Sequence, residues 1–477
     1  MNYDMAGSWW DVHFKDFSEQ LAGLIAYPSV SNEQATDPEH PYGRACAEVL
    51  SYFGEVGRGF GFQVVNHENQ CEVVSWGNEK DSSCIGIFNH LDVVPAGTGW
   101  TYSPFTMTID GDKIIGRGTG DNKGPALMVL YALFYLKQQG WMPKHTIKQF
   151  LGANEEKDMK DIIWYVSHCP MPLFSLVADA SFPVCYGEKG ILILDCQRSM
   201  GCSSRIRSWS SGVSSNAVPS LATAVVLYSM DALQKEASRC PDIHLQAQSD
   251  GSVMITAKGI AAHAAFPEGS RSAQNVLCSF LLATHVLIPV DEDFCEMLLS
   301  LFCDYHGKGI GVPYQDGESG MLTHVGGYSL LEGRIFHQNI NIRYNVTANY
   351  KTMMNSIRRT LESKGFSIEH VEDNPPMYID RNLPVIRMLT DISNSVSGLS
   401  LSPFTMGGGT YARKLRHAVG YGPGLSNREN PFGSERGRGH QPDEFTTMET
   451  LKNGFLVYIR AVVAVDEYLA GGDEHER

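Results

Sequence analysis

Between Cys71 and Val184 the chain alternates short apolar runs with one long apolar helix. Three of those runs, CIGIFNH, TIKQFLGANEE and LFSLVAD, close on a histidine or an acid. Each run is rich in Val, Ile, Leu or Phe, the composition of a buried strand. DNKGPALMVLYALFYLKQQG (121–140) reads as a helix, with an Asp at its start and a Gly at its end. Strands alternating with helices predict an α/β layer with parallel strands. In such sheets, sites gather in the loops beyond the strand carboxyl ends. His90, Asp121, Glu155 and Asp179 all fall at such ends. Upstream, 12–27 and 46–61 read as helices, QVVNHE and CEVVSWG as strands, and 27–43 as a loop.

From about 186 to 382 the texture changes. Strand-like alternations (ILILDCQ, IHLQAQ, SVMITAKG, NINIRYNVT) flank stretches read as helical (SLATAVVLYSMDALQKEA, AQNVLCSFLLATHVL, TMMNSIRRTLESKG). This is α+β material. After Pro384 the helix and strand alternation resumes, with a Gly-rich loop, a polar stretch over 426–444 and a tail, GGDEHER, expected to fray. The simplest division is a mixed-sheet α/β body, 1–185 plus 383–477, interrupted by an α+β insertion, 186–382.

Composition narrows the function classes. With 43% hydrophobic and 19% charged residues over 477 positions, the chain has ample core material and is not intrinsically disordered. Its 53 acids against 38 basic residues, a formal charge of −15, argue against nucleic acid or an anionic membrane as partner. They leave cations open. The eleven cysteines include no C-x-x-C pair, which fits reduced thiols in a cytoplasmic protein. The start, MNYDMAGSWWDVHFKDF, carries no signal-peptide pattern, and apolar runs such as SFLLATHVLIPV are too short to span a bilayer. Asn345-Val346-Thr347 matches a glycosylation sequon by chance in that setting.

Taken singly, the candidate residues have ordinary alternatives. In His90-Leu91-Asp92 a strand would point both side chains one way, so Asp92 could fix the tautomer of a metal-binding His90. Asp121 is either a helix N-cap or a carboxylate bridging two cations. Glu155 and Glu156 are a solvated loop, or a metal ligand beside a general base. Asp179 holds a structural hydrogen bond or a metal. His263 and His440 are merely exposed or functional, and Arg343 in NINIRY is a snorkelling residue or a carboxylate clamp. GRGTGD (116–121) lacks the glycine spacing of a dinucleotide fingerprint.

Their joint order is more specific. NHLDVVPAGTGWTYSPFTMTIDGDKIIGRGTGDNKGP (89–125), GANEEKDMKDI, DASFPVCYGEKG, TMGGGTYAR and GHQPDEF follow one another along nearly the whole chain. In this the chain resembles the co-catalytic di-zinc metallopeptidases, the family of ArgE, DapE, carboxypeptidase G and carnosinase. HLDVVPAG, the EKG after FPV, and HQPDE are similar to its PepV-type bacterial dipeptidase branch.

The resemblance implies a di-zinc aminopeptidase-like α/β/α catalytic domain with an inserted lid. It implies two divalent metal ions, Zn²⁺ with Mn²⁺ or Co²⁺ as alternatives, held by His90, Asp121, Glu156, Asp179 and His440. Asp121 would bridge them, Asp92 would orient His90, and Glu155 would be general base to a metal-bridging hydroxide. His263 would stabilise the tetrahedral intermediate as an imidazolium. Arg343, Asn216, Gly408 and Gly409 would hold a dipeptide's carboxylate. The implied reaction is hydrolysis of dipeptides or short peptides with free termini, by a monomer, since the long insertion resembles that of monomeric dipeptidases. An N-acyl amino acid amidohydrolase is the alternative, and a non-catalytic binding relative a third reading that predicts a lost ligand. Three departures stand out. Asn122 replaces the family's usual second Asp, Ala178 replaces Pro or Gly, and SSGVSSNAVPS is a loose version of a glycine-rich stretch.

Overall fold

A computed structural model describes residues 3–32, 37–77, 83–425 and 430–471. The tail 472–477 and positions 426–429 of the polar stretch lie outside the described residues. The chain divides into two compact units. One comprises Met1–Tyr186, Ile379–Phe404 and Gly409–Arg477; the other comprises Gly187–Tyr378 and Thr405–Gly408. Thr405–Gly408, read from sequence as part of the α/β body, groups with the second unit. Two hydrogen bonds hold it there: Lys189 N–H donates to the Met406 carbonyl (2.9 Å) and Arg343 Nη1 to the Gly407 carbonyl (3.1 Å).

The first unit is built on a mixed sheet. Six of its strands run in the order Gln63–His67, Cys71–Trp76, Thr146–Gly152, Cys84–His90, Phe174–Val177, Ala418–Gly420. The last four are mutually parallel, and the first two are antiparallel additions. Register sets His90 level with Gly152 and Phe88 level with Val177. The loops carrying Asp92, Glu155, Glu156 and Asp179 therefore leave the sheet from one edge, the carboxyl ends of three parallel strands.

Both faces of this sheet are covered. Ile85 and Ile87 join the core formed with helices Ala6–Ile25, Lys123–Gln138 and Met448–Gly471. Phe88, the next residue, points the other way, onto Phe150 and Tyr165, as strand alternation requires. Lys123–Gln138 is apolar on nearly all sides because it lies within the core; Leu127, Leu130 and Leu136 are fully buried. Truncating any of these leucines to alanine is worth about 2–5 kcal/mol.

The second unit is one eight-stranded antiparallel sheet, ordered Ile243–Ala247, Val253–Lys258, Leu221–Val226, Ile206–Ser211, Thr323–Glu332, Ile335–Tyr344, Gly190–Ser199, Ser367–Asn374. Helices Ala273–Ala283, Pro289–Leu301 and Tyr350–Ser363 complete its core. One expectation fails here. The stretch 220–237 is not a single helix: Leu221–Val226 is a strand, and the helix starts only at Met230 after a Ser229 cap. The strand pairs on both sides, with Val253–Lys258 and Ile206–Ser211, and this tertiary pairing overrides a Leu/Ala-rich local preference. Among the described residues no helix is long and apolar enough to cross a membrane. No disulfide forms among them, and they include all eleven cysteines.

Candidate metal centre

At the edge where the parallel strands end, the first unit gathers His90, Asp92, Asp121, Glu155, Glu156 and Asp179. His440 joins them from the loop before the last helix. His90 is the final residue of its strand and is fully buried. Its Nδ1 donates to the Asp92 carbonyl oxygen (3.0 Å) and lies 3.4 Å from Asp92 Oδ1. That partner fixes the ring with Nε2 facing the acids. Nε2 lies 3.0 Å from Asp121 Oδ1 and 3.8 Å from Asp179 Oδ2.

Asp121 is not a helix cap. The N-cap position belongs to Asn122, whose side chain makes no cap hydrogen bond, and the Asp121–Asn122 peptide is cis. The two oxygens of Asp121 serve two different imidazoles: Oδ1 faces His90, and Oδ2 lies 3.2 Å from His440 Nε2. His440, with φ 66°, also sets Nε2 2.9 Å from Glu156 Oε2. Two groups of donor atoms, each within 4.8 Å of one another, could hold a metal ion: His90, Asp121 and Glu156, and His90, Glu155 and Asp179.

Three buried acids outside this set hold the loops in place. Asp92 accepts from the backbone N–H groups of Glu155 (3.1 Å) and Glu156 (3.0 Å), so one carboxylate both faces His90 and sets the paired glutamates. Asp161 accepts from Ala153 and Asn154 N–H (2.7 and 2.8 Å) and from the Tyr411 hydroxyl. Burial pushes Asp161 up to about 6, against the pull of these donors. A Cβ at Gly152 would sit 1.9 Å from the Tyr411 hydroxyl oxygen and 2.2 Å from Asp161 Oδ2, so only glycine fits there. Glu444 is bound most fully. Its Oε1 accepts from Gly118, Gly120 and Asp121 N–H (3.1, 3.0 and 3.1 Å), and its Oε2 from Arg117 Nη1 (2.7 Å). The loop that presents His440 thereby grips the loop that presents Asp121.

The electrostatics are those of an acid cluster that wants cations. Burial raises Glu155 and Asp179 well above the usual carboxylate range, and neighbouring acids add to it. Burial raises Glu156 too, with Asp121 adding. Burial opposes charge on His440, but Asp121 and Glu156 outweigh it and raise the ring to about 11. His90 is raised in the same way by Asp121 and Asp92. Without metal, protons supply the positive charge that the acids require. Four carboxylates and two imidazoles in this arrangement are a donor set for divalent cations, and the residues present fit such ions.

A prediction follows for pH. Binding must release the protons held on His90, His440 and the raised carboxyls, so apparent metal affinity rises with pH from acid through neutral. Calorimetry in buffers of different ionisation enthalpy would register proton release; its absence would contradict this account of the site.

The remaining candidates lie elsewhere in the chain. In the second unit, Ala217 and His263 form a backbone bridge, Ala264 N–H donates to the Asn216 carbonyl (2.8 Å), and Ser214 Oγ donates to Asn216 Oδ1. His263 Nδ1 accepts from Ala265 N–H (3.2 Å). Arg343 is 5% exposed and donates through Nε to Asn341 Oδ1 (2.9 Å) and through Nη1 to the Gly407 carbonyl. Gly408 belongs to the second unit and Gly409 to the first.

The profile of "Peptidase family M20/M25/M40" matches residues 86–464, which takes in every residue of the cluster. The chain belongs to this peptidase family. It is a metallopeptidase, and so a hydrolase. Several relatives bear the name "Putative dipeptidase", two of them as follows. One is YtjP of Bacillus subtilis, 30% identical over 94% of this chain and 96% of its own length. The other is from Staphylococcus epidermidis, 29% identical with the same coverage. Among solved structures, human carnosine dipeptidase 1 shares the fold at TM-score 0.56 and 14% identity, covering 98% of this chain and 99% of its own. The yeast di-peptidase Dug1p does so at TM-score 0.58 and 13% identity, with the same coverage.

Sequence reasoning missed Glu444, Arg117, Asp161 and Tyr411. Arg117 carried a signal in the sequence: a lone cation among glycines beside a buried strand needs an acid. Asp161 and Glu444 carried less, because their partners are backbone N–H groups that no side-chain pattern reveals.

Proposed function

We propose that this metallopeptidase is a dipeptidase, cleaving dipeptides or short peptides with free amino and carboxyl ends. The observation that carries the reading is Asp121, whose two oxygens serve His90 and His440 separately while Glu155 lies beside His90 and Asp179. Divalent cations bound there would polarise the scissile carbonyl and acidify water. His90 and Asp179 would hold one ion, Glu156 and His440 the other, with Asp121 shared. Glu155 takes the proton of the attacking water and returns it to the leaving amine, and burial makes it a stronger base than an exposed carboxylate. His263, as an imidazolium, serves the developing oxyanion. Arg343, Asn216 and the Gly408–Gly409 backbone bind the terminal carboxylate. The names of the relatives support the dipeptidase reading over deacylation.

The test is a panel of dipeptides and N-acyl amino acids on metal-stripped protein reconstituted with Zn²⁺, Mn²⁺ or Co²⁺. Preferential turnover of N-acyl amino acids would replace the dipeptidase reading with an amidohydrolase. Arg343→Ala should raise KM at least about tenfold for dipeptides, the scale of a lost charge-assisted contact, and little for carboxyl-blocked analogues. Equal effects on both would remove Arg343 from carboxylate binding.

A further inference from the structure

A chain of three buried carboxamides runs from the core of the first unit to the candidate ligand Asp179. Gln149, Asn89 and Asn122 are 0%, 0% and 1% exposed. Gln149 Nε2 donates to Asn89 Oδ1 (3.1 Å), Asn89 Nδ2 to Asn122 Oδ1 (2.6 Å), and Asn122 Nδ2 to Asp179 Oδ1 (3.0 Å). Both ends fix the direction of this chain independently. Gln149 Nε2 also faces the Ala126 carbonyl (2.8 Å), and Asn122 Nδ2 also faces the Ala178 carbonyl (2.7 Å). A carbonyl only accepts, so each amide must present nitrogen there. Flipping any one amide would set donor against donor or acceptor against acceptor at two contacts.

We propose that Asn122 is a positioning residue for metal binding, a neutral donor that holds one oxygen of Asp179 and so orients the other toward the ion. This rests on the metal reading of the site. Asp179 Oδ2 is the oxygen on the His90 side, 3.8 Å from Nε2, while Oδ1 is the one engaged by Asn122. A carboxylate at 122, the residue type usual in the family, has nearly the shape of the amide, but in this setting it could donate as the amide does only by taking up a proton. One of its oxygens would stand where Nδ2 now donates, facing the Ala178 carbonyl and Asp179 Oδ1, both acceptors. Fixing the free oxygen of a ligand carboxylate is the kind of outer contact whose loss typically costs 10–100-fold in metal affinity.

The experiment is a Zn²⁺ titration of the metal-stripped full chain against a chromophoric chelator, for wild type, Asn122→Asp and Asn122→Ser. Circular dichroism of each metal-free protein reports folding. Asn122→Asp is expected to weaken one of the two Zn²⁺ sites by about 10–100-fold and leave the other near wild type. Asn122→Ser, which keeps a small neutral side chain, decides the matter if the Asp variant does not fold; it should weaken the same site. Two Zn²⁺ equivalents bound with wild-type affinity by a folded variant would overturn the role of Asn122. A wild-type chain that binds no divalent ion would instead overturn the metal reading.

Discussion

Glu155→Gln is expected to retain both metal ions and the fold while losing about 10²–10⁴-fold in kcat, the range for removing a general base. The substitution keeps volume and one acceptor oxygen, and removes only the capacity to take a proton. The surroundings explain why the effect should be large. Glu155 is 8% exposed, and its backbone N–H is bound by Asp92, so the residue should stay in place when the charge is lost. Burial holds the carboxyl above its ordinary range, the direction that makes a carboxylate a stronger base. The check is kcat and metal content measured on the same preparation. Full metal content with unchanged turnover would remove Glu155 from the chemistry.

The second large effect concerns stability. Glu444→Ala should destabilise the metal-free protein by about 3–5 kcal/mol, as measured by denaturant unfolding, because it strands the buried Arg117 guanidinium. Arg117 already has Nε and Nη2 without partners among the described residues, so Glu444 is its principal counter-ion. Glu444 also accepts from three backbone N–H groups, and this separates two explanations. If it served only Arg117, the double variant Arg117→Met/Glu444→Ala would recover nearly all the stability. The three N–H groups remain unsatisfied in the double variant, so recovery should be partial, with a clear coupling energy in the double-mutant cycle. Metal affinity should fall as well, since the N–H of Asp121 is one of the three.

How much of this was legible in the sequence depended on the kind of force involved. The α/β sheet was readable because buried parallel strands need apolar runs, and CIGIFNH, TIKQFLG and LFSLV provide them. The placement of His90 at a strand end and of Glu155 and Asp179 on exit loops follows from that, because parallel strands end on one edge. Leu221–Val226 was misread because LATAVV satisfies a helical pattern as well as a strand pattern, and only its two neighbouring strands decide. Strand Thr323–Glu332 was passed over for a similar reason, since its Gly326-Gly327 pair weakens any strand pattern; helix Pro289–Leu301 could have been read, for it opens on a Pro with Asp291 and Glu292 in its first turn. Asn122 stood out in the sequence as a departure. Its amide chain through Asn89 and Gln149 was invisible there, since it joins residues on three separate elements.

The connection between Glu156 and His440 spans 284 positions, and strand Ala418–Gly420 reaches the sheet only after the whole second unit has been traversed. A ribosome making this chain therefore releases an unfinished sheet edge at Phe174–Val177 long before its partner strand exists. Loop closure over such a distance is slow to search, though its entropy grows only logarithmically with length. The second unit, a self-contained antiparallel sheet, can fold in that interval and shorten the effective gap between its two ends. If the candidate centre holds metal as proposed, its completion would wait on His440, which is made 284 positions after Glu156.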